Sequence, residues 1–254
     1  VNDADNTRWV YAGGAFVKDK SEQLNSEPEN TGYVDRFEML TIPAGSFNMG
    51  ANSGNSDESP VHTVYIARPF AMGKTEVTQA QWKEIMGNNP SQFIHCGDNC
   101  PITKVSWDDV QVFIQKLNAL TRKNYRLPSE AEWAYACRGG KIQNYCGSDK
   151  ANSVAWFMDN SSNSIHPVAS KSANAYGLYD MSGNALEWVE DNYHNSYTGA
   201  PTNGSVWRSN APQRVLRGGS WYSIPQGLLT TRREVSDPGN RYERFGFRLA
   251  RSLP

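Results

Sequence analysis

The chain of 254 residues carries 26 acidic against 25 basic side chains, a formal net charge of −1, with no basic stripe and no acidic block. That balance excludes the electrostatic footprint of a nucleic-acid binder or of a protein held on an anionic membrane by charge. Eight Trp, twelve Tyr and nine Phe beside 21 Gly, with a mean hydropathy of -0.65, suit a loop-rich fold pinned by buried aromatics better than a helical bundle.

Residues 1–36 are polar and aperiodic and read as an extended arm or peripheral strand pair, in which WVYAGGAFV (Trp9–Val17) is the part expected to dock. VNDADNTRW lacks the charged start and apolar stretch of a signal peptide, and no apolar run is long enough to span a membrane. Such a start is compatible with the mature part of an exported precursor. The folded body is expected over 37–254, where FEMLTIPAGSFNMG reads as a strand broken at Pro43-Ala44-Gly45 and resumed at Phe47 and Met49.

Three helices follow. In TEVTQAQWKEIMG, Thr78 and Gln81 form a capping box ahead of apolar Trp82, Ile85 and Met86, and Gly87 stops the helix. In VSWDDVQVFIQKLNALT, Ser106 caps, Asp108 and Asp109 favour the positive end of the helix dipole, and Val110, Phe113, Ile114, Leu117 and Leu120 recur at helical spacing. In RLPSEAEWAYACRGG, Ser129 and Glu132 repeat the capping box and Gly139-Gly140 ends the run. Beyond Gly140 no helical period survives, so short strands and long loops are expected: one α+β domain.

No catalytic constellation stands out. Glu130 and Glu132, two apart on a helix, face different directions, and no phosphate-binding glycine loop is present. Cys96, Cys100, Cys137 and Cys146 are an even set with spacings C-x3-C and C-x8-C. His95, Cys96 and Cys100 invite a zinc reading, but adjacent His and Cys ligands give poor geometry at one metal, and disulfides are the commoner use of such a set. Four buried thiols in a cytosolic protein are the alternative.

IPAGSFNMG, KTEVTQAQWKEIMG with NPSQF, VSWDDVQVFIQKLN, YRLPSEAEWAYACRGG, NAYGLYDMSGNALEW, RVLRGGSW and GFRLA occur in this order over about residues 38–251. The ordered set resembles the formylglycine-generating-enzyme or sulfatase-modifying-factor family. That resemblance implies a C-type-lectin-like core: a small twisted antiparallel sheet, two to three helices and long ordered loops. The oxidase members place a cysteine pair after RGGSW to bind monovalent copper, which needs soft thiolates. No Cys follows Cys146 here. The iron-dependent branch needs three histidines, whereas His62, His95, His166 and His194 form no H-x-x-x-H pair. No cofactor is therefore expected, and the chain is not expected to be an enzyme. In the oxidases the position matching Cys137 bonds to a C-terminal cysteine that is missing here, so Cys137 is expected to pair with Cys146, and Cys96 with Cys100. Asn184 and Glu187 fall where the family uses loop oxygens for a structural calcium; a turn hydrogen bond and an ion pair with a framework Arg are the competing roles.

In the segment after Trp221, fixed-looking Pro225, Leu228, Leu229, Pro238, Gly246 and Phe247 alternate with arbitrary clusters. This resembles the variable proteins of diversity-generating retroelements, in which 214–250 would be the variable ligand-binding region. There, template adenines are the mutated bases. An Asn codon can yield Tyr222, Ser223, Ile224, Val235, Ser236, Tyr242 or Phe245, but not Gln226, Glu234 or Glu243. The resemblance implies a solvent-exposed ligand face of Tyr222, Ser223, Ile224, Gln226, Gly227, Arg233, Glu234, Val235, Ser236, Arg241, Tyr242, Glu243, Arg244 and Phe245, with Arg217, Gly218, Gly219, Trp221, Phe247 and Arg248 beneath. A Tyr, Ser, Gly and Arg mixture suits recognition loops. The expected partner is a protein on another cell or surface, with no nucleic acid and with membrane contact only through a lipid anchor upstream of residue 1. The expected location is extracytoplasmic, at the cell surface. A degenerate homologue of the oxidases that binds one fixed protein partner is one alternative, and an active oxidase using a noncanonical site is another.

Overall fold

The computed structural model describes residues 35–253, together with the backbone of two N-terminal strands. The chain divides into two units, Val1–Val34 and Asp35–Pro254. In the first, β1 (Trp9–Ala12) pairs antiparallel with β2 (Ala15–Lys18). The expected docking of WVYAGGAFV lies outside the described residues.

In the second unit the strands are β3 (Met39–Ile42), β4 (Gly45–Met49), β5 (His62–Ile66), β6 (Phe70–Gly73), β7 (Tyr125–Arg126), β8 (Leu186–Asn192), β9 (Arg214–Arg217), β10 (Arg233–Ser236), β11 (Phe245–Phe247) and β12 (Ala250–Ser252). The helices are α1 (Gln79–Met86), α2 (Trp107–Thr121), α3 (Glu130–Arg138) and α4 (Ala151–Val154). Two four-stranded sheets run in the orders β3-β6-β12-β7 and β10-β9-β8-β11, and β4 pairs with β5 alone. FEMLTIPAGSFNMG is thus divided between two sheets. Pro43, with no N–H to donate, marks the point where the chain leaves the first.

All three expected helices form, and each carries its capping box. Thr78, Ser106 and Ser129 accept from the N3 backbone while Gln81, Asp109 and Glu132 reach back to the cap. The one-turn α4 carries too few residues to show a period, which explains its invisibility in the sequence. Contrary to a purely antiparallel sheet, β11 runs parallel to β8, with Phe245 opposite Leu186 and Phe247 opposite Trp188. Parallel strands need a long connection, and here some fifty residues carrying β9 and β10 supply it.

Aromatic packing joins the layers. Trp82 of α1 stacks on Phe113 of α2 at 5.2 Å, and Phe247 of β11 meets both edge-on at 6.1 and 5.3 Å. A fully buried ion pair ties the two large sheets together. Arg248 donates to both Glu187 oxygens at 2.6 and 2.7 Å, to the Gly73 carbonyl at 3.1 Å and to the Tyr179 carbonyl at 2.9 Å, while the Trp133 indole donates to Glu187 at 2.6 Å. Asn184 accepts from the His166 amide and donates to its carbonyl. Glu187 therefore takes the ion-pair role, while Asn184 cross-links to His166, 18 residues away, instead of closing a turn. Cys96 is bonded to Cys100 and Cys137 to Cys146, the expected pairing, which spends both sulfurs of the zinc reading on each other. Two disulfides place the chain outside a reducing cytoplasm.

Candidate ligand-binding site

The segment after β9 is shaped by glycine. Gly218 and Gly219 both have positive φ (95° and 71°), and a Cβ on Gly219 would lie 2.6 Å from the Gly227 carbonyl oxygen. Only glycine lets the backbone double back this tightly. The loop that results is strapped from several sides. The Trp221 amide donates to the Asn184 carbonyl at 2.9 Å, Ser161 donates to the Trp221 carbonyl at 2.8 Å, and the Met158 amide donates to the Ser223 carbonyl at 3.0 Å. A single 3-10 turn, Pro225–Leu228, then presses Leu228 against Ala155 and Phe157.

Arg217 fixes the next stretch through its backbone alone. Its guanidinium donates to the carbonyls of Thr230 at 2.9 Å, Thr231 at 3.0 Å and Arg232. Because these contacts go to main-chain oxygens, they hold the loop in place whatever side chains it carries. Above this floor lies a groove of about 820 Å³. Tyr222, Ser223, Ile224, Gln226, Gly227 and Glu234 of the expected face line it. Tyr222 and Ile224 are 55% and 52% exposed. The opposite wall, which sequence reasoning missed, includes Ser53, Asn55, Glu58, Arg138, Ile142 and Asn144. Ile142, an apolar side chain in the polar run RGGKIQNY and 92% exposed, was the available signal. Arg232 lies between Glu58 at 3.8 Å and Glu234 at 3.6 Å.

Three residues of the expected face are not surface residues. Arg233 (2% exposed) forks onto Glu130 of α3 at 2.7 and 2.9 Å, and its guanidinium lies over the rings of Tyr197 and Tyr193. Burial pushes the Glu130 carboxyl up, but Arg233 and Arg217 beside it more than offset this and hold it below the ordinary carboxylate range. Ser236 (7%) accepts from Asn240, and Phe245 (3%) packs edge-on against Trp188 at 5.1 Å. These three are framework, because each fills an interior position that an arbitrary side chain could not occupy.

The remaining face is divided. β10 and β11 are the opposite edges of one sheet, with β9 and β8 between them, roughly 14 Å apart at the usual strand spacing. Tyr222, Ser223, Ile224, Gln226, Gly227 and Glu234 line the groove. Arg241, Tyr242, Glu243 and Arg244 sit on the 237–244 loop that crosses to the far edge beside α2. There Arg241 forks onto Asp109 at 2.7 and 2.8 Å, the Lys104 amide donates to the Tyr242 carbonyl, and Arg244 lies over the rings of Tyr242 and Phe245. Val235 is exposed on edge strand β10.

An α+β core whose last strand, β12, lies between β6 and β7, with a strapped loop segment beside an open groove, is the C-type-lectin-like architecture of the formylglycine-generating enzymes. The profile of the sulfatase-modifying factor enzyme 1-like domain matches residues 23–253, and the chain belongs to this family. Treponema denticola variable protein 1 superposes with a TM-score of 0.80 at 29% identity, covering 85% of this chain and 95% of that one. The serine/threonine-protein kinase pkn1 of Chlamydia caviae is 30% identical over 94% of this chain, which spans only 41% of that relative's length. Bovine inactive C-alpha-formylglycine-generating enzyme 2 is 29% identical, over 84% of this chain and 87% of that one.

Proposed function

We propose that this protein is a non-catalytic ligand-binding protein of the cell surface, whose segment after Trp221 is diversified by a retroelement to vary specificity. The observation that carries the reading is the contrast within one segment. Tyr222, Ile224 and Gln226 stand exposed at the groove while Arg217, Gly219 and Trp221 hold the loop by backbone contacts and burial. Such a loop tolerates change at its exposed positions without losing its path. The likeness to the Treponema variable protein and to a family member named as inactive supports it.

The copper site of the oxidases does not fit these residues. All four cysteines are held in disulfides and none lies in the segment after Trp221, and the oxygen ligands available there bind monovalent copper poorly. The ligand is a protein on another cell or surface, and a lipid anchor upstream of residue 1 would tether the chain. The test is the neighbouring DNA. A near-copy of the DNA that encodes the segment after Trp221, differing almost only at adenines beside a reverse transcriptase, is expected; its absence removes diversification from the reading. Gln226, Glu234 and Glu243, which no Asn codon reaches, and buried Arg233, Ser236 and Phe245 favour a second reading in which the same groove binds one fixed partner.

A further inference from the structure

A smaller pocket, of about 260 Å³, lies between β4, α3 and the loops that follow. Tyr135 and Arg138 are three residues apart on α3 and so share one helix face. Phe47 of β4 and Tyr176 complete the wall, with ring centroids 5.4 Å and 6.0 Å from Tyr135. The Tyr176 hydroxyl donates to that of Tyr135 at 3.3 Å, and the Arg138 guanidinium lies 6.0 Å from the Phe47 ring. Arg138 and Lys141 are both in the lining, and no carboxylate is.

Arg138 differs in its partners from the arginines of the framework. Arg233 and Arg248 each fork onto a buried carboxylate, and Arg217 donates to three carbonyls and lies 3.8 Å from Glu130. Arg138 is half-buried, yet among the described residues its guanidinium makes no ion pair and no hydrogen bond. Burial and then the neighbouring Arg217 hold its pKa below the ordinary value. A partly desolvated, uncompensated guanidinium beside three aromatic rings is set to gain charge-assisted, forked hydrogen bonds from a carboxylate whose flat body slides against the rings.

We propose that this pocket binds a small aromatic carboxylate, with its carboxylate on Arg138 and its ring among Phe47, Tyr135 and Tyr176. The volume falls just under the roughly 300–1,000 Å³ of typical small-molecule sites, which restricts the ligand to about one ring. No wall of the pocket comes from residues 214–250, so the site is independent of the diversified segment and would be common to all variants of the chain. It shares Arg138 and Ile142 with the larger groove, so an occupant would border that groove.

The test is calorimetric titration of the full chain at low salt with benzoate, with benzamide and with inorganic phosphate, beside amide chemical-shift mapping. Benzoate should bind with a Kd on the order of 1 mM or tighter, benzamide and phosphate at least about tenfold more weakly. Amide shifts should centre on Gly140, Ile142 and Tyr176. Arg138→Gln should weaken benzoate about tenfold or more at unchanged Tm. If that variant does not fold, the mapping on the unaltered chain decides. Benzamide or phosphate matching benzoate, shifts centred elsewhere, or no binding at millimolar benzoate would each overturn the assignment.

Discussion

Trp221 carries the groove loop from below: its ring meets Phe93 edge-on at 5.3 Å, beside Cys100 and Ile165, and is 7% exposed. Trp221→Ala should cost about 3–5 kcal/mol as a buried aromatic truncation. The triple change of Tyr222, Ile224 and Gln226 to Ala removes only exposed atoms, so each should cost less than ~0.5 kcal/mol. Thermal unfolding of the two variants side by side checks this. A triple mutant that melts as early as Trp221→Ala would make those side chains part of the core. The two forked arginines of the segment separate in the same way. Arg233→Ala leaves Glu130 buried without its main partner and should cost about 3–5 kcal/mol. Arg241→Ala breaks a half-exposed pair with Asp109 and should cost under about 1 kcal/mol. Chemical denaturation midpoints of the two variants give that ordering directly.

At the scale of elements, α3 is bound to the β9–β10 hairpin through charge. Glu130 at the first turn of α3 receives Arg233 from β10 and Tyr197 from a loop, with Arg217 of β9 at 3.8 Å. Its carboxyl is held below the ordinary range, so this contact contributes stability that is present above the unfolded carboxylate pKa and lost as pH falls through the folded value. Melting temperature against pH should therefore drop on acidification below about pH 4. Glu130→Gln should flatten that acid limb and melt earlier at neutral pH. The disulfides act on short loops, Cys137–Cys146 behind α3 and Cys96–Cys100 behind α1. Removing either should cost about 2–3 kcal/mol by loop-closure entropy, and alkylation of unreduced protein should label no thiol. Elements differ in how far the sequence reveals them, and the reason is range. Thr78–Gln81, Ser106–Asp109 and Ser129–Glu132 are contacts over three residues and are written locally. The burial of Arg233 depends on Glu130, 103 positions away, and the parallel pairing of β11 with β8 on a crossover of some fifty residues. Nothing within either segment encodes those partners. The division of the expected face into a groove patch and an α2 patch has the same origin, because it follows from the strand order and not from the spacing of the residues.

For the whole molecule the question is whether a family built around an oxidase has kept its framework and lost its chemistry. The supports of the groove are present: the Arg248–Glu187 pair joins the sheets, Arg217 holds three successive carbonyls, and Gly218-Gly219 turns the chain. Those features serve any ligand, since they shape backbone and touch no reacting atom. Chemistry needs more, and a redox reaction at copper needs thiolates that are free. Here each cysteine sulfur is bonded to another, the four half-cystines lie at 96, 100, 137 and 146, and the groove offers the hydroxyls of Tyr222 and Ser223, the amide of Gln226 and the ion-paired Arg232 and Glu234. Such donors bind peptides and sugars but do not retain monovalent copper. Incubating the protein with copper, oxygen and a sulfatase-type cysteine peptide should leave the peptide mass unchanged, while a parallel reaction with an active family member converts it. Conversion to formylglycine by this chain at any rate above the protein-free control would require a copper site without cysteine thiolates. That outcome would replace the binding role with a catalytic one, since the groove would then be a substrate cleft.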